Sequence, residues 1–308
     1  MAEVAVAIPT FRRVKGLERL LDALAALETK AKVHIVVADN DAERHEGFDL
    51  CRTLRGRGYR WRIDAVIVPE RGIAQARNAA VMRALSTDAH FIAMLDDDEW
   101  PEPGWLDAFL AAQRVTGADA LHGQVTRVFE RAPAPWSLAC AGIAPFARAT
   151  GAIDMIESSS NVLMTRGCVA ALAEPWFDPA FALTGGEDRD FFTRLKREGA
   201  RFAWAGEAVA NAFVPASRLT LGWIVRRAYR VGNSDMRVFL KYGPAPLARL
   251  REVAKILGAA LCFAPILAIF SAFPNRRAQA LCKLSRAAGK TAALFGRHYN
   301  EYAVIHGE

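Results

Sequence analysis

A short uncharged run, Phe91-Ile92-Ala93-Met94-Leu95, passes without a linker into Asp96-Asp97-Asp98-Glu99. Five apolar residues of this kind suit a buried strand, and Pro101 and Pro103 end it. A strand that stops in acid places carboxylates at the carboxyl edge of a sheet, where open α/β folds bind ligands. Alternation along an extended chain predicts that Asp96 and Asp98 point one way and Asp97 the other. Carboxylates facing one point repel unless a cation lies between them, and hard divalent cations prefer such oxygens. A solvated acidic turn is the competing reading of the same residues.

The rest of the chain decides what sheet this strand joins. Val4–Ile8, Val33–Ala38 and Ile63–Val68 are further buried-strand runs, two of them stopped by Pro9 and Pro69. Between them lie helical patterns: Lys15–Leu27 with leucines at helical spacing, a polar helix near Phe48–Arg55, and Ile73–Leu85. Such alternation predicts an α/β fold with a doubly wound, mostly parallel sheet. No Gly-x-Gly-x-x-Gly follows the first strand, so the dinucleotide fingerprint is missing. Farther on, the pattern predicts a helix over Gly104–Val115 and strands over Ala118–Val128, Ser160–Met164 and Arg201–Ala205. A short helix is expected over Asp190–Glu198, and an irregular layer covering the site over 130–157, with prolines at 133, 135 and 145.

Charge enters because it is uneven. The net charge is +7, yet from Arg218 to Arg297 the acids are only Asp235 and Glu252. Nucleic acid, anionic lipid or a phosphate-bearing ligand would each answer such an excess. Within it, Ile256–Phe273 is eighteen uncharged residues, interrupted by Gly258 and Pro265 and flanked by Arg249, Arg251, Lys255, Arg276 and Arg277. The length is the lower limit for crossing a bilayer, and cations on both sides suit an in-plane or re-entrant helix on anionic lipid. A helical hairpin in a soluble core is the alternative. Basic residues interleaved with an apolar helix, rather than with exposed aromatics, argue against nucleic acid. Five scattered cysteines without a Cys-x-x-Cys pair read as reduced core thiols, and the histidines lack zinc spacing. The N-terminus lacks the pattern of a signal peptide, which predicts a cytosolic chain.

Four clusters follow predicted strands: Pro9-Thr10-Phe11-Arg12-Arg13, Asp39-Asn40-Asp41, Glu70-Arg71-Gly72 and Asp96-Asp97-Asp98. In a parallel sheet those ends share one edge, so they converge on one crevice with carboxylates for a metal or sugar hydroxyls and arginines for phosphate. Asp188, after Gly185-Gly186-Glu187, stands where a loop presents it to that crevice; capping of a helix at Asp190 is the plainer role for it.

In this order, with Arg71-Gly72, Ala76-Arg77-Asn78 and Gly186-Glu187-Asp188, the motifs resemble family 2 glycosyltransferases of the GT-A fold, and within them bacterial exopolysaccharide enzymes of the succinoglycan glucosyltransferase type. The resemblance spans roughly residues 1–215. It implies a GT-A domain there, with a nucleotide-binding half over 1–100 and an acceptor half over 101–215, followed by a basic, apolar, membrane-associating helical region over 216–308. It further implies inverting transfer of a hexose from a UDP-sugar, with Mg²⁺ or Mn²⁺, to an undecaprenyl-diphosphate-linked saccharide on the cytoplasmic face of the inner membrane. Nucleotide contacts would come from Pro9, Thr10, Arg12, Asp39, Asp41, Arg71, Arg77, Asn78, Asp96 and Asp97, and metal ligation from Asp98 with Asp96. Asp188 would be the catalytic base, with Glu187 as the other candidate. Arg227 and Arg230 would meet a diphosphate, and Trp136, Trp176 and Trp204 would either stack on an acceptor sugar or belong to the core. One departure is that Arg227-Ala228-Tyr229-Arg230-Val231 keeps the arginines but not the tryptophan of processive members, which favours single-sugar addition. A sugar nucleotidyltransferase or a non-catalytic basic membrane-binding protein remain the alternatives.

Overall fold

The structure, a computed structural model, describes residues 2–141 and 147–299. Its first part alternates as expected: β1 (Glu3–Thr10), α1 (Val14–Ala25), β2 (Lys32–Asp39), α2 (Glu46–Gly56), β3 (Arg62–Ile67), α3 (Ile73–Leu85) and β4 (Phe91–Met94). The strands pair in parallel in the order β3-β2-β1-β4. Alternation along β1 explains how both sheet faces are covered. Val4, Val6 and Ile8 join the leucines of α1 on one side, while Ala5 and Ala7 face α3 on the other.

Next come β5 (Glu99–Pro101), α4 (Trp105–Thr116), β6 (Ala120–Phe129), α5 (Pro135–Ala141), β7 (Gly151–Ile153), β8 (Val162–Thr165), α6 (Arg166–Ala170), α7 (Glu187–Arg197) and β9 (Phe202–Val214). Strand β8 inserts between β4 and β6, antiparallel to both, and β6 and β9 pair in parallel beyond it. The sheet is therefore mixed but mostly parallel. The stretch expected to be wholly irregular contains α5, and β7 pairs with β9; Pro145 lies outside the described residues. Strand β9 runs nine residues past the expected end at Ala205 because three extra residues, Gly206–Ala208, absorb a register shift against β6. Fully buried Asn161 pins that irregularity, donating to the carbonyls of Gln124 (2.8 Å) and Ala208 (3.0 Å) and accepting from Trp105 Nε1 (2.6 Å).

Three helices complete the chain: α8 (Leu221–Lys241), α9 (Pro246–Ile269) and α10 (Pro274–Leu294). Helices α8 and α10 pack backbone against backbone, since a Cβ on Gly232 would lie 2.1 Å from the Arg286 carbonyl oxygen and one on Gly289 2.0 Å from that of Tyr229. Helix α9 rests on α10 through the Lys290–Glu252 ion pair (2.7 Å), yet none of its 24 residues is buried. It continues through Pro265, and among the described residues it is the one helix long and apolar enough to cross a membrane. Cys262 is exposed on it, whereas Cys51 and Cys282 are buried as expected; all five cysteines are free.

Candidate active site

A cavity of about 630 Å³ opens at the carboxyl ends of β1 and β4 and is walled on the far side by β6, β9 and the start of α8. Phe91–Met94 ends in a turn at Asp97-Asp98 rather than an extended chain, so the expected alternation of the three aspartates fails. Instead Asp97 accepts from Thr10 Oγ1 (2.9 Å) and Arg13 (3.0 Å), and Asp98 accepts from Arg13 and Arg218, each at 3.2 Å. Asp96 turns to Arg77 (3.0 Å). All three carboxylates, with Glu99, line the cavity.

Arg77 is the hub. Its position on α3 is buried, and its guanidinium donates to Asp96, Glu187 and Asp188 together. Ser159 Oγ also donates to Asp188 (2.6 Å). Burial, aided by the charge of Asp188 and opposed by Arg77, pushes the Glu187 carboxyl up to about 7. Asp97 rises to about 6 through burial, against the pull of Arg13 and with the push of Asp98. Glu187 Oε2 has no hydrogen-bond partner among the described residues.

The acidic pair is presented by a helix that starts three residues earlier than its pattern predicts. Helix α7 begins at Glu187, its N-cap is Gly186 at φ 103°, and no side chain caps it. Glu187 and Asp188 thus occupy its first turn, where the helix dipole favours negative charge. Asp190 does not cap; it is fully buried and accepts from Lys241 Nζ and the Tyr242 hydroxyl, both at 2.7 Å. Helix α8 grips the same loop through Ser234 Oγ, which donates to the Gly185 carbonyl (3.0 Å), and a Cβ on Gly186 would lie 2.9 Å from that of Ser234. Glycine is required there by both backbone and space.

Pro9, Thr10, Arg71, Arg77, Asp96, Asp97, Asp98, Glu187, Asp188, Arg227 and Arg230 all line the cavity. Six other expected contacts lie elsewhere. Arg12 turns outward to Asp41 (2.8 Å) and Glu43, and Asp41 is held below its usual carboxylate range by that guanidinium despite burial. Asp39 is buried and accepts from the backbone of Asp41 and Phe48, closing the start of α2. Asn78 brackets the backbone of Phe177 with both its amide atoms. Trp136 stands on α5 away from the cavity, and Trp176 is core, donating to the Val169 carbonyl. Between Asp39 and Asp41, Asn40 does reach the cavity, joining the Val68 and Glu70 carbonyls to the Gly72 amide.

Comparison with known proteins completes the picture. The sequence model of glycosyl transferase family 2 matches residues 5–149. The succinoglycan biosynthesis protein ExoM of Rhizobium meliloti (strain 1021) is 30% identical over 239 residues, covering 76% of this chain and 74% of ExoM. The chain belongs to glycosyl transferase family 2. Its fold is also that of S. aureus TarS, whose residues 1–349 have been crystallised with UDP (TM-score 0.53, 13% identity) and with UDP-GlcNAc (TM-score 0.51, 13% identity). Either alignment spans 97% of this chain and 93% of TarS 1–349.

Members of this family typically depend on a divalent cation. Among the described residues no group of three or more His, Cys, Asp or Glu surrounds a common point. Magnesium and manganese at nucleotide sites use one or two carboxylates and complete their shell with phosphate oxygens and water. Asp98 and Asp96 fit such a shell. Both face the cavity, and the Asp96 carboxyl is pushed up by burial and by the charges of Asp98 and Asp188, opposed by Arg77, a crowding that a cation relieves.

Several cavity residues carried no sequence signal. Trp204 on β9, offered by the sequence for stacking, lies opposite His122 on β6, their rings stacked at 5.1 Å and 16°, and both line the cavity with Gln124, Arg127, Arg218 and Trp223. Nothing local marks the other five, because elements far apart in sequence bring them together. Arg13 was visible in the first cluster, but its pairing with two aspartates was not.

Proposed function

We propose that the protein is an inverting, metal-dependent glycosyltransferase that moves a hexose from a UDP-sugar to a lipid-linked saccharide in exopolysaccharide or cell-surface glycan synthesis. The observation that carries this reading is the Arg77 cluster, which holds Asp96 of the β4 edge and the first turn of α7 against one cavity. Kinship with ExoM supports the glycan class, and the UDP complexes of TarS support the donor.

Asp188 is the general base in this reading. It is more accessible than Glu187, with 21% of its side chain exposed against 2%, so an acceptor hydroxyl can approach it. The hydroxyl proton passes to Asp188 as its oxygen attacks the anomeric carbon, and the bond to the diphosphate breaks on the opposite face. Arg77 and Ser159 orient the base. Asp98 and Asp96 would hold a divalent ion, which would supply positive charge against the departing diphosphate. Arg71, Arg227 and Arg230 supply further positive charge to it. Residues 1–215 carry donor and base, α8 closes the cavity, and exposed α9 meets the inner leaflet. A nucleotidyltransferase would be expected to carry a glycine-rich basic loop after β1, where Pro9-Thr10-Phe11 stands.

Calorimetric titration with UDP tests the reading. UDP is expected to bind in the presence of Mn²⁺ and not in its absence, and Asp98→Ala should abolish the metal-dependent part. Equal UDP affinity with and without metal would count against it.

A further inference from the structure

We infer that the acceptor wall of the cavity recognises a saccharide bearing an anionic group, with Arg127 as the partner of that anion. The inference rests on the glycosyltransferase reading above. Arg127 lines the cavity from β6, half-buried, and no hydrogen bond or ion pair joins it to a described residue. Other cavity arginines are engaged: Arg13 and Arg218 with Asp98, and Arg77 with three carboxylates. A half-buried guanidinium that has given up water without gaining an acceptor is unfavourable, and a charge-assisted bond to an incoming anion repairs it. Arg218 stands near enough to repel it electrostatically, and Glu99 and Asp98 attract it without forming an ion pair. An anion beside Arg127 relieves that repulsion.

Position assigns the anion to the acceptor. The expected nucleotide contacts sit on the β1, β2 and β4 edge and on α3, whereas Arg127 lies on β6 opposite Ala212, across the cavity from them. The same strand holds His122, stacked with Trp204 and close enough to Asp188 to feel its charge. Burial pulls the His122 pKa down to about 4, so the stacked pair is a neutral aromatic surface suited to a sugar ring. From His122 to Arg127 is five residues at about 3.3 Å each. His122, Gln124, Val125 and Arg127 of this strand all line the one cavity, beside the irregularity that the three extra residues of β9 make at Gly123–Gln124. The reacting ring therefore rests near Asp188, and the anion belongs to a group a ring or more away.

A sugar carboxylate and the phosphate of a lipid diphosphate share this chemistry. Ligand-detected NMR titration of the full chain, saturated with UDP and Mn²⁺, distinguishes them using methyl glucuronide, methyl glucoside and geranyl diphosphate. We expect one anionic probe to bind about tenfold more tightly than the glucoside. Arg127→Gln should erase that preference while UDP affinity stays within about twofold, and Arg127→Lys should restore part of it. Preference for the glucuronide assigns an acidic sugar; preference for geranyl diphosphate assigns the lipid phosphate. If neither anion is preferred, or if Arg127→Gln weakens UDP as much as the probe, the inference is wrong. Failure of the wild-type chain to bind UDP with Mn²⁺ would overturn the glycosyltransferase reading, and this inference with it.

Discussion

Arg77 illustrates how much rests on one side chain. Three carboxylates converge on a guanidinium that is 4% exposed, so removing it would leave buried acids without a counter-charge. The arrangement also explains why adjacent acids differ in character: Glu187 is pushed toward neutrality by burial, while Asp188 remains open to the cavity. On that basis Asp188→Asn should leave UDP binding intact and lower kcat by about a hundredfold or more, the usual worth of a general base. Measuring kcat alongside calorimetric UDP affinity checks it, and near-normal turnover would move the base to Glu187. Residue-scale legibility had a clear limit. Asp98 and Asp188 were visible as candidates because one follows a strand end and the other opens a helix, and Arg77 only through the Ala76-Arg77-Asn78 motif. Arg12, Asp39, Asp41 and Asn78 sit in equally promising clusters, yet the first three turn to nearby ion-pair and backbone partners and Asn78 to the distant backbone of Phe177. Proximity in sequence to a site residue does not determine which way a side chain points.

Among the elements, α1 to β4 were legible to within about two residues from apolar periodicity. Pro9 does not stop the first strand as expected: β1 runs through it to Thr10, still paired with β2. The start of α7 was missed since its N-cap is a glycine, without the side-chain cap on which such boundaries are read. Of the contribution of α8, only Arg227 and Arg230 were offered by the sequence; that of Trp223, Ser234 and Lys241 was hidden for a different reason, because it depends on close helix packing that no periodicity records. Trp223, Arg227 and Arg230 line the cavity, and Ser234 and Lys241 hold the loop and helix that present Asp188. All are set by the contact of α8 with α10. Gly289→Ala forces a methyl group against the Tyr229 carbonyl, overpacking that typically costs about 1–3 kcal/mol. The variant should melt several degrees lower and turn over more slowly, because Tyr229 lies between Arg227 and Arg230 on the displaced helix. A melting curve unchanged from wild type would show that α8 and α10 can part at no cost.

For the molecule as a whole, the decisive feature is that no residue of α9 is fully buried. Leu247, Leu250, Leu257 and Leu261 are 59%, 64%, 57% and 76% exposed, and Phe270, Phe273 and Phe295 are exposed beside them. So much open apolar surface calls for a cover. Cations at Arg249, Arg251, Arg276 and Arg277 flank the helix. A sugar nucleotide is water-soluble and a lipid-linked acceptor is not, so an inner-leaflet surface would bring the cavity to both. Deleting everything from Leu247 onward would test this poorly, because α10 packs on α8 and would be lost as well. Replacing Leu250, Leu257 and Leu261 with glutamine leaves α10 in place. Each leucine buried in lipid contributes about 1.5–3 kcal/mol, and each basic residue near an anionic surface about 1 kcal/mol. The triple variant should therefore stop co-sedimenting with phosphatidylserine vesicles while binding UDP and Mn²⁺ as before. High salt should release the wild-type chain only in part, since screening weakens the ionic contribution and leaves the apolar one. If the wild-type chain ignores anionic vesicles, the exposed face of α9 meets another protein surface instead, and the oligomeric state of the triple variant would then reveal whether that surface is a second copy.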